Sequence, residues 1–211
     1  MIRIYYTVFN EQLTDQYFSK YLNSLPEKIQ KDILKYKRWQ DQHTGLFGKL
    51  LLKKALFDIS DSLTLDQVRY TNFGRPYLDS LDFNISHTFG CVMCAITQNG
   101  RVGVDVEWLE KTDLSHFRNC FSVKEWTVIT SDINPVDKFF QFWTKKESVI
   151  KADGKGLSVP LSDFEVIEDF VKLDNTQWKI AELLINENYK AHITYNINQE
   201  IEMIYMDFVS L

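Results

Sequence analysis

Apolar positions along the chain recur with two periods, and the points where the period changes divide it into elements. Residues 2–9 are rich in β-branched and aromatic side chains and predict an opening strand. Pro26 suits a first helical turn, and Ile29, Ile33 and Tyr36 then fall at i, i+4 and i+7, the apolar stripe of a helix. Leu46, Leu50 and Leu51 repeat at helical spacing within 40–57, and the polar run 58–66 reads as a loop. Short β-rich runs follow at 68–71, 83–85, 91–97 and 102–107, parted by the turn residues of 72–74 and 98–100.

The order then repeats loosely. Ser122 and Glu125 form a capping-box pattern, Asn134-Pro135 opens a helix running to Gly154, and strands are expected from Phe164 onward, among them 189–195 and 201–209. The prediction is an α+β chain of two similar halves, 1–108 and 109–211, forming one integrated unit.

Composition narrows the function classes. With 45% hydrophobic and 14% aromatic residues among 211, the chain can bury a sizeable core. Its net charge of −5 disfavours a nucleic-acid partner, which needs a broad basic face. No run approaches the ~18 apolar residues of a membrane span, and the first residues lack a signal-peptide layout, so a cytoplasmic protein is expected. Cys91 and Cys94 form a C-x-x-C, but residues three apart on a strand face opposite ways, which predicts two buried thiols rather than a metal or redox pair.

Four patterns can carry chemistry. In Gly103-Val104-Asp105-Val106-Glu107, strand alternation puts both carboxylates on one face, where they suit Mg²⁺ gripping a pyrophosphate or lie on a solvated strand edge. Glu147 and Lys151 share one helix face, as a site or as a surface ion pair. In Asn84-Ile85-Ser86-His87-Thr88, a hydroxyl and an imidazole could meet phosphate oxygens, although adjacent Ser86 and His87 point apart on a strand and make a poor nucleophile and base. Lys28, Lys31, Lys35 and Arg38 form a basic stripe that either is solvated or binds a polyanion.

In order, Gly74-Arg75-Pro76, Asn84 to His87, Gly103 to Glu107 and Trp143 to Leu157 resemble the motif series of the surfactin-type 4′-phosphopantetheinyl transferases. The resemblance also touches Pro26-Glu27-Lys28 and Phe121-Ser122 with Glu125, and so covers most of the chain. It implies two subdomains related by a pseudo-twofold axis, with coenzyme A in the cleft between them. It further implies transfer of the phosphopantetheine arm of coenzyme A to a serine of an apo acyl or peptidyl carrier protein, releasing adenosine 3′,5′-bisphosphate, by a monomeric enzyme.

By that resemblance Asp105, Glu107 and Glu147 are the Mg²⁺ ligands, with Asp105 also at the coenzyme. Glu147 and Lys151 are the catalytic candidates, and Lys151 also faces the pyrophosphate. His87 and Ser86 border the phosphates, the backbone of the turn Gly74-Arg75-Pro76 faces the adenine, and Lys28 and Lys31 approach the 3′-phosphate; residues 117–126 are candidates for carrier-protein contact. Two departures stand out. Thr44 follows His43 where many relatives carry an arginine, which removes a guanidinium fork from the 3′-phosphate and leaves either Arg38, Lys31 or Arg75 to compensate or a weaker hold on that phosphate, and Phe89 stands where relatives often have glycine. A coenzyme A binding module without chemistry, or a phosphodiesterase using water as nucleophile, would share part of this set.

Overall fold

A computed structural model describes residues 1–208, the side chain of Leu157 excepted. The chain runs β1 (Ile2–Val8), α1 (Asp15–Leu22), α2 (Glu27–Leu34), α3 (Trp39–Phe57), β2 (Arg69–Tyr70), β3 (Pro76–Tyr77), β4 (Asp82–Thr88), β5 (Cys91–Thr97) and β6 (Val102–Trp108). It continues through α4 (Val123–Ser131), α5 (Pro135–Asp153), β7 (Phe170–Leu173), β8 (Thr176–Glu182), β9 (Tyr189–Tyr195) and β10 (Ile201–Tyr205).

The elements start and stop where side chains settle unpaired backbone groups. Ser122 and Glu125 close a reciprocal capping box on α4, the Asn134 side chain caps α5 next to Pro135, and Gly154 ends α5 at a left-handed φ of 82°. α2 stops at Leu34, earlier than the stripe to Tyr36 predicts, because α3 begins at Trp39; Ile33 is buried and Tyr36 is exposed. The strands expected from Phe164 begin at Phe170, since Phe164 caps the second core and its carbonyl accepts from Lys146 Nζ at 2.5 Å. The expected final strand ends at Tyr205, and Val209 lies outside the described residues.

Two four-stranded sheets carry the fold, ordered β10-β1-β5-β4 and β6-β9-β8-β7. All pairings within them are antiparallel except β1 with β10, which is parallel and brings the last described strand back to the first. Strand pairing thus crosses residue 108 twice, through β6 with β9 and through β10 with β1.

Period-2 alternation explains the layers. One face of β5 turns Val92, Cys94 and Ile96 toward α3, while Cys91, Met93 and Ala95 join Ile2, Ile4, Val104, Val106 and Ile193 in an apolar layer between the sheets. Cys91 and Cys94 are therefore in different cores, and burial pushes both thiols up to about 12. On the far side, α5 covers the second sheet, with Phe139, Phe142 and Val149 in one core with Trp178 of β8, and α4 packs on α5. Lys146 and Glu125, both fully buried and 3.0 Å apart, tie α5 to the capping box of α4.

Candidate active site

The site forms where β4 and β6 meet. Each is the edge strand of its own sheet, and an edge leaves alternate backbone N–H groups without a strand partner. β4 answers with side chains. Asp82, Asn84, Ser86 and Thr88 accept from the backbone N–H groups of Val102, Val104, Val106 and Trp108 at 2.8, 2.9, 3.4 and 3.1 Å. A polar row with period 2 thereby becomes a ladder of side chains against backbone.

The same hydroxyls reach the acids on β6. Ser86 Oγ donates to Asp105 Oδ1 at 3.0 Å, and Thr88 Oγ1 donates to Glu107 Oε2 at 3.3 Å. From α5, Lys151 Nζ donates to Asp105 Oδ1 at 2.5 Å and to Ser86 Oγ at 2.9 Å. This approach depends on Gly103: a Cβ there would lie 2.2 Å from Ala152 N and from Ser148 O, so only glycine lets α5 press onto β6.

Below the ladder, Arg75 forks onto Asp82 with two bonds of 2.7 Å and reaches Val102 O and Lys151 O at 3.0 Å each. Its side chain is 6% exposed and committed to the fold, while the turn that carries it, Gly74-Arg75-Pro76, lines the hollow beside Glu147 and Lys151. It braces the turn, β4, β6 and the end of α5 behind the site.

The electrostatics are those of acids crowded in a dry place. Burial, then the Asp105 charge, pushes the Glu107 carboxyl up to about 7. The same two causes raise Glu147, with Lys151 acting against them. Asp105 Oδ2 is buried with no hydrogen-bond partner. His87 opens onto the cleft, where desolvation and then Lys151 lower its pKa, so the imidazole is neutral at pH 7.

These features fit a hard divalent cation. The donors are carboxylate oxygens, one of them an orphan, and positive charge would relieve the mutual repulsion of three acids. Among the described residues the acids do not converge into a ready-made cage of three, and Lys151 stands against one Asp105 oxygen.

The cleft beside the acids is continuous. One stretch of about 390 Å³ is lined by Tyr36, Thr44, Lys49, Pro76, Asn84 and His87. His87 and Thr44 also line a neighbouring hollow of about 270 Å³ with Arg38 and Phe89, and Pro76 and Asn84 continue into one with Gly74, Glu147 and Lys151. The structure thus gathers Gly74, Arg75, Pro76, Asn84, His87, Glu147 and Lys151 along one cleft, and Lys151 ties it to Ser86 and Asp105 behind. Lys28 lines a side groove, whereas Lys31 is spent on Glu27 at 2.6 Å on the exposed helix face. Phe117 and Phe121 pack against Phe139, so the stretch 117–126 presents to solvent Val123, which is 70% exposed, rather than its aromatics.

Sequence reasoning missed Thr88, the clamp between Glu107 and Trp108, and the shared role of Asp82 and Asn84 in the ladder. The signal was the unbroken polar alternation from Asp82 to Thr88.

Comparison with known proteins adds an independent finding. The family model described as the 4′-phosphopantetheinyl transferase superfamily matches residues 101–201, the stretch holding Asp105, Glu107, Glu147 and Lys151. The chain is similar to the 4′-phosphopantetheinyl transferase gsp of Aneurinibacillus migulanus, 30% identical over 168 residues, spanning 78% of this chain and 70% of the relative. It is 31% identical over 175 residues to the 4′-phosphopantetheinyl transferase Sfp of Bacillus subtilis strain 168, covering 78% of this chain and 76% of that one. A third relative, the L-aminoadipate-semialdehyde dehydrogenase-phosphopantetheinyl transferase of Schizosaccharomyces pombe, is 33% identical over 129 residues, 51% of this chain and 49% of its own.

Proposed function

Because the chain belongs to the 4′-phosphopantetheinyl transferase superfamily, enzymes that move phosphopantetheine from coenzyme A to a carrier protein, we propose that coenzyme A lies along the cleft with its pyrophosphate over Asp105 and Lys151. The observation that supports this most is the Asp105 carboxylate. One oxygen is held by Lys151, which lines the cleft, and by Ser86, and the other is buried without a hydrogen-bond partner.

The hydroxyl of a carrier-protein serine attacks the β-phosphorus in line. An O–P bond forms to serine, the bond to the departing nucleotide breaks, and adenosine 3′,5′-bisphosphate leaves. Lys151, held as an ammonium by Asp105, faces the charge on the pyrophosphate. An ammonium already donating to Asp105 and Ser86 cannot take up the serine proton, so that task falls to Glu147. Its carboxyl, which burial and then Asp105 raise in the metal-free protein, takes that proton directly or through water. Asp105, Glu107 and Glu147 would hold Mg²⁺, which when bound supplies neutralisation of the pyrophosphate charge.

Val123 and its surroundings on the exposed start of α4 offer the apolar contact for a carrier protein. No helix among the described residues is long and apolar enough to cross a membrane. A cytoplasmic monomer is the expected state.

The test is intact mass spectrometry of apo carrier proteins incubated with coenzyme A and Mg²⁺, with EDTA and the Glu147→Ala and Asp105→Ala variants alongside. The expected outcome is a phosphopantetheine mass gain lost in all three controls. Full transfer by Asp105→Ala, with its fold confirmed by circular dichroism, would sink the assignment of that acid.

A further inference from the structure

Past His87 the cleft opens, between α2 and α3, into a side groove of about 250 Å³ lined by Lys28, Asp32, Tyr36, Lys49 and Tyr70. Lys49 also lines the 390 Å³ stretch, so it stands where groove and cleft join. Gly45, one turn earlier on α3, lines both hollows and puts no side chain in front of it.

Among the described residues Lys28 and Arg38 are unpaired but exposed, whereas Lys49 is half-buried. Lys31 pairs with Glu27 at 2.6 Å, Lys35 with Asp32 at 2.7 Å, and Lys53 donates to Ser24 O at 2.6 Å. The Lys49 ammonium makes no hydrogen bond or ion pair among the described residues. Burial holds its pKa below the ordinary lysine value, with Cys94 and Asp32 acting in the other direction. A half-buried cation without a partner is costly to the fold, and an anion entering the groove would remove that cost.

Arg38 lines the hollow of about 270 Å³ rather than the groove. Thr44, which faces both hollows of the cleft, is neutral, and the Arg75 guanidinium is locked onto Asp82. Lys31 is turned away to Glu27, which leaves Lys28 and Lys49 as the lysines lining the groove. Tyr36 and Tyr70 flank them with exposed rings.

We propose that Lys49 is the residue that holds the 3′-phosphate of coenzyme A, seated in the groove between α2 and α3 with Lys28 beside it. This rests on the reading of the cleft as the coenzyme A site. The rest of the coenzyme then runs from the groove past His87 to Lys151, the order in which the hollows share their lining residues.

Calorimetry in magnesium buffer with coenzyme A and with 3′-dephospho-coenzyme A tests it. The wild type should bind coenzyme A more tightly, and Lys49→Met, which keeps the apolar stem but not the charge, should lose that preference. Its affinity for coenzyme A should fall by roughly ten- to a hundredfold, the worth of one charged hydrogen bond, toward that for the dephosphorylated form. Lys49→Arg should retain the preference, which guards against a folding defect in the methionine variant. Retention of the full preference by folded Lys49→Met overturns the assignment while leaving the site itself intact. Failure of the wild type to bind either coenzyme overturns the reading of the cleft as well.

Discussion

Glu107 has a carboxyl near 7 for two reasons that act together, a dry setting and the charge of Asp105. The raised value means that the fold favours the protonated form. For an acid shifted upward, the cost appears as pH climbs from the ordinary carboxylate range through the folded pKa, and is absent below it. Glu107→Gln should therefore raise the melting temperature of the metal-free protein at pH 8 and leave it nearly unchanged at pH 5. An equal shift at both values would contradict the burial argument. The same proton stands in the way of a cation, so Mg²⁺ binding should weaken below about pH 7. Calorimetry in buffers of different ionisation enthalpy should find protons released on Mg²⁺ binding by the wild type and fewer by Glu107→Gln. Residue types and spacing were enough to single out Asp105, Glu107, Glu147 and Lys151. They could not tell that Arg75 is spoken for, because its partner Asp82 lies across a turn whose geometry the sequence does not carry.

At the scale of elements, the contact of α5 with β6 decides whether helix and strand present one site or two separate surfaces. Gly103→Ala would drive a methyl group into the backbone of Ser148 and Ala152. The expected cost is about 3 kcal/mol or more, at the upper end for overpacking, with transfer lost as Lys151 withdraws from Asp105. Chemical denaturation and a transfer assay on the same preparation would check both. Asn84→Ala leaves the buried N–H of Val104 unpaired, and should cost about 1–3 kcal/mol in urea unfolding. A loss of under half that would mean the ladder is ornamental. The elements themselves were unequally legible. α5 has explicit caps, β9 alternates, and α3 and β5 are long apolar runs. The two-residue strands β2 and β3 are too short for any period, and the parallel pairing of β10 with β1 involves residues about two hundred apart, whose register no local pattern encodes. The polar alternation from Asp82 to Thr88 shows one face of a strand, but not that the edge of β6 supplies its partners.

Over the whole molecule, the two sheets share an apolar layer and two crossings of the chain. Removal of residues from 201 onward would strip β10 from β1 and take away Phe208, whose ring stacks on Phe47 at 5.1 Å. The shortened chain should melt at a markedly lower temperature in differential scanning fluorimetry, and an unchanged melting point would show that β10 adds nothing to the joint. The seam between β4 and β6 carries a different consequence. A main-chain ladder opens only when its strands part, but rungs made of hydroxyls, an amide and a carboxylate, at about 1 kcal/mol each, can release one at a time. Ser86 and Thr88 are rungs that also aim Asp105 and Glu107, so strain that loosens the seam misaligns the acids while both sheets are still whole. Rising urea should silence transfer before far-ultraviolet circular dichroism registers any loss of sheet, and dilution should restore it within the dead time of mixing, as the closing of a latch rather than the refolding of a chain.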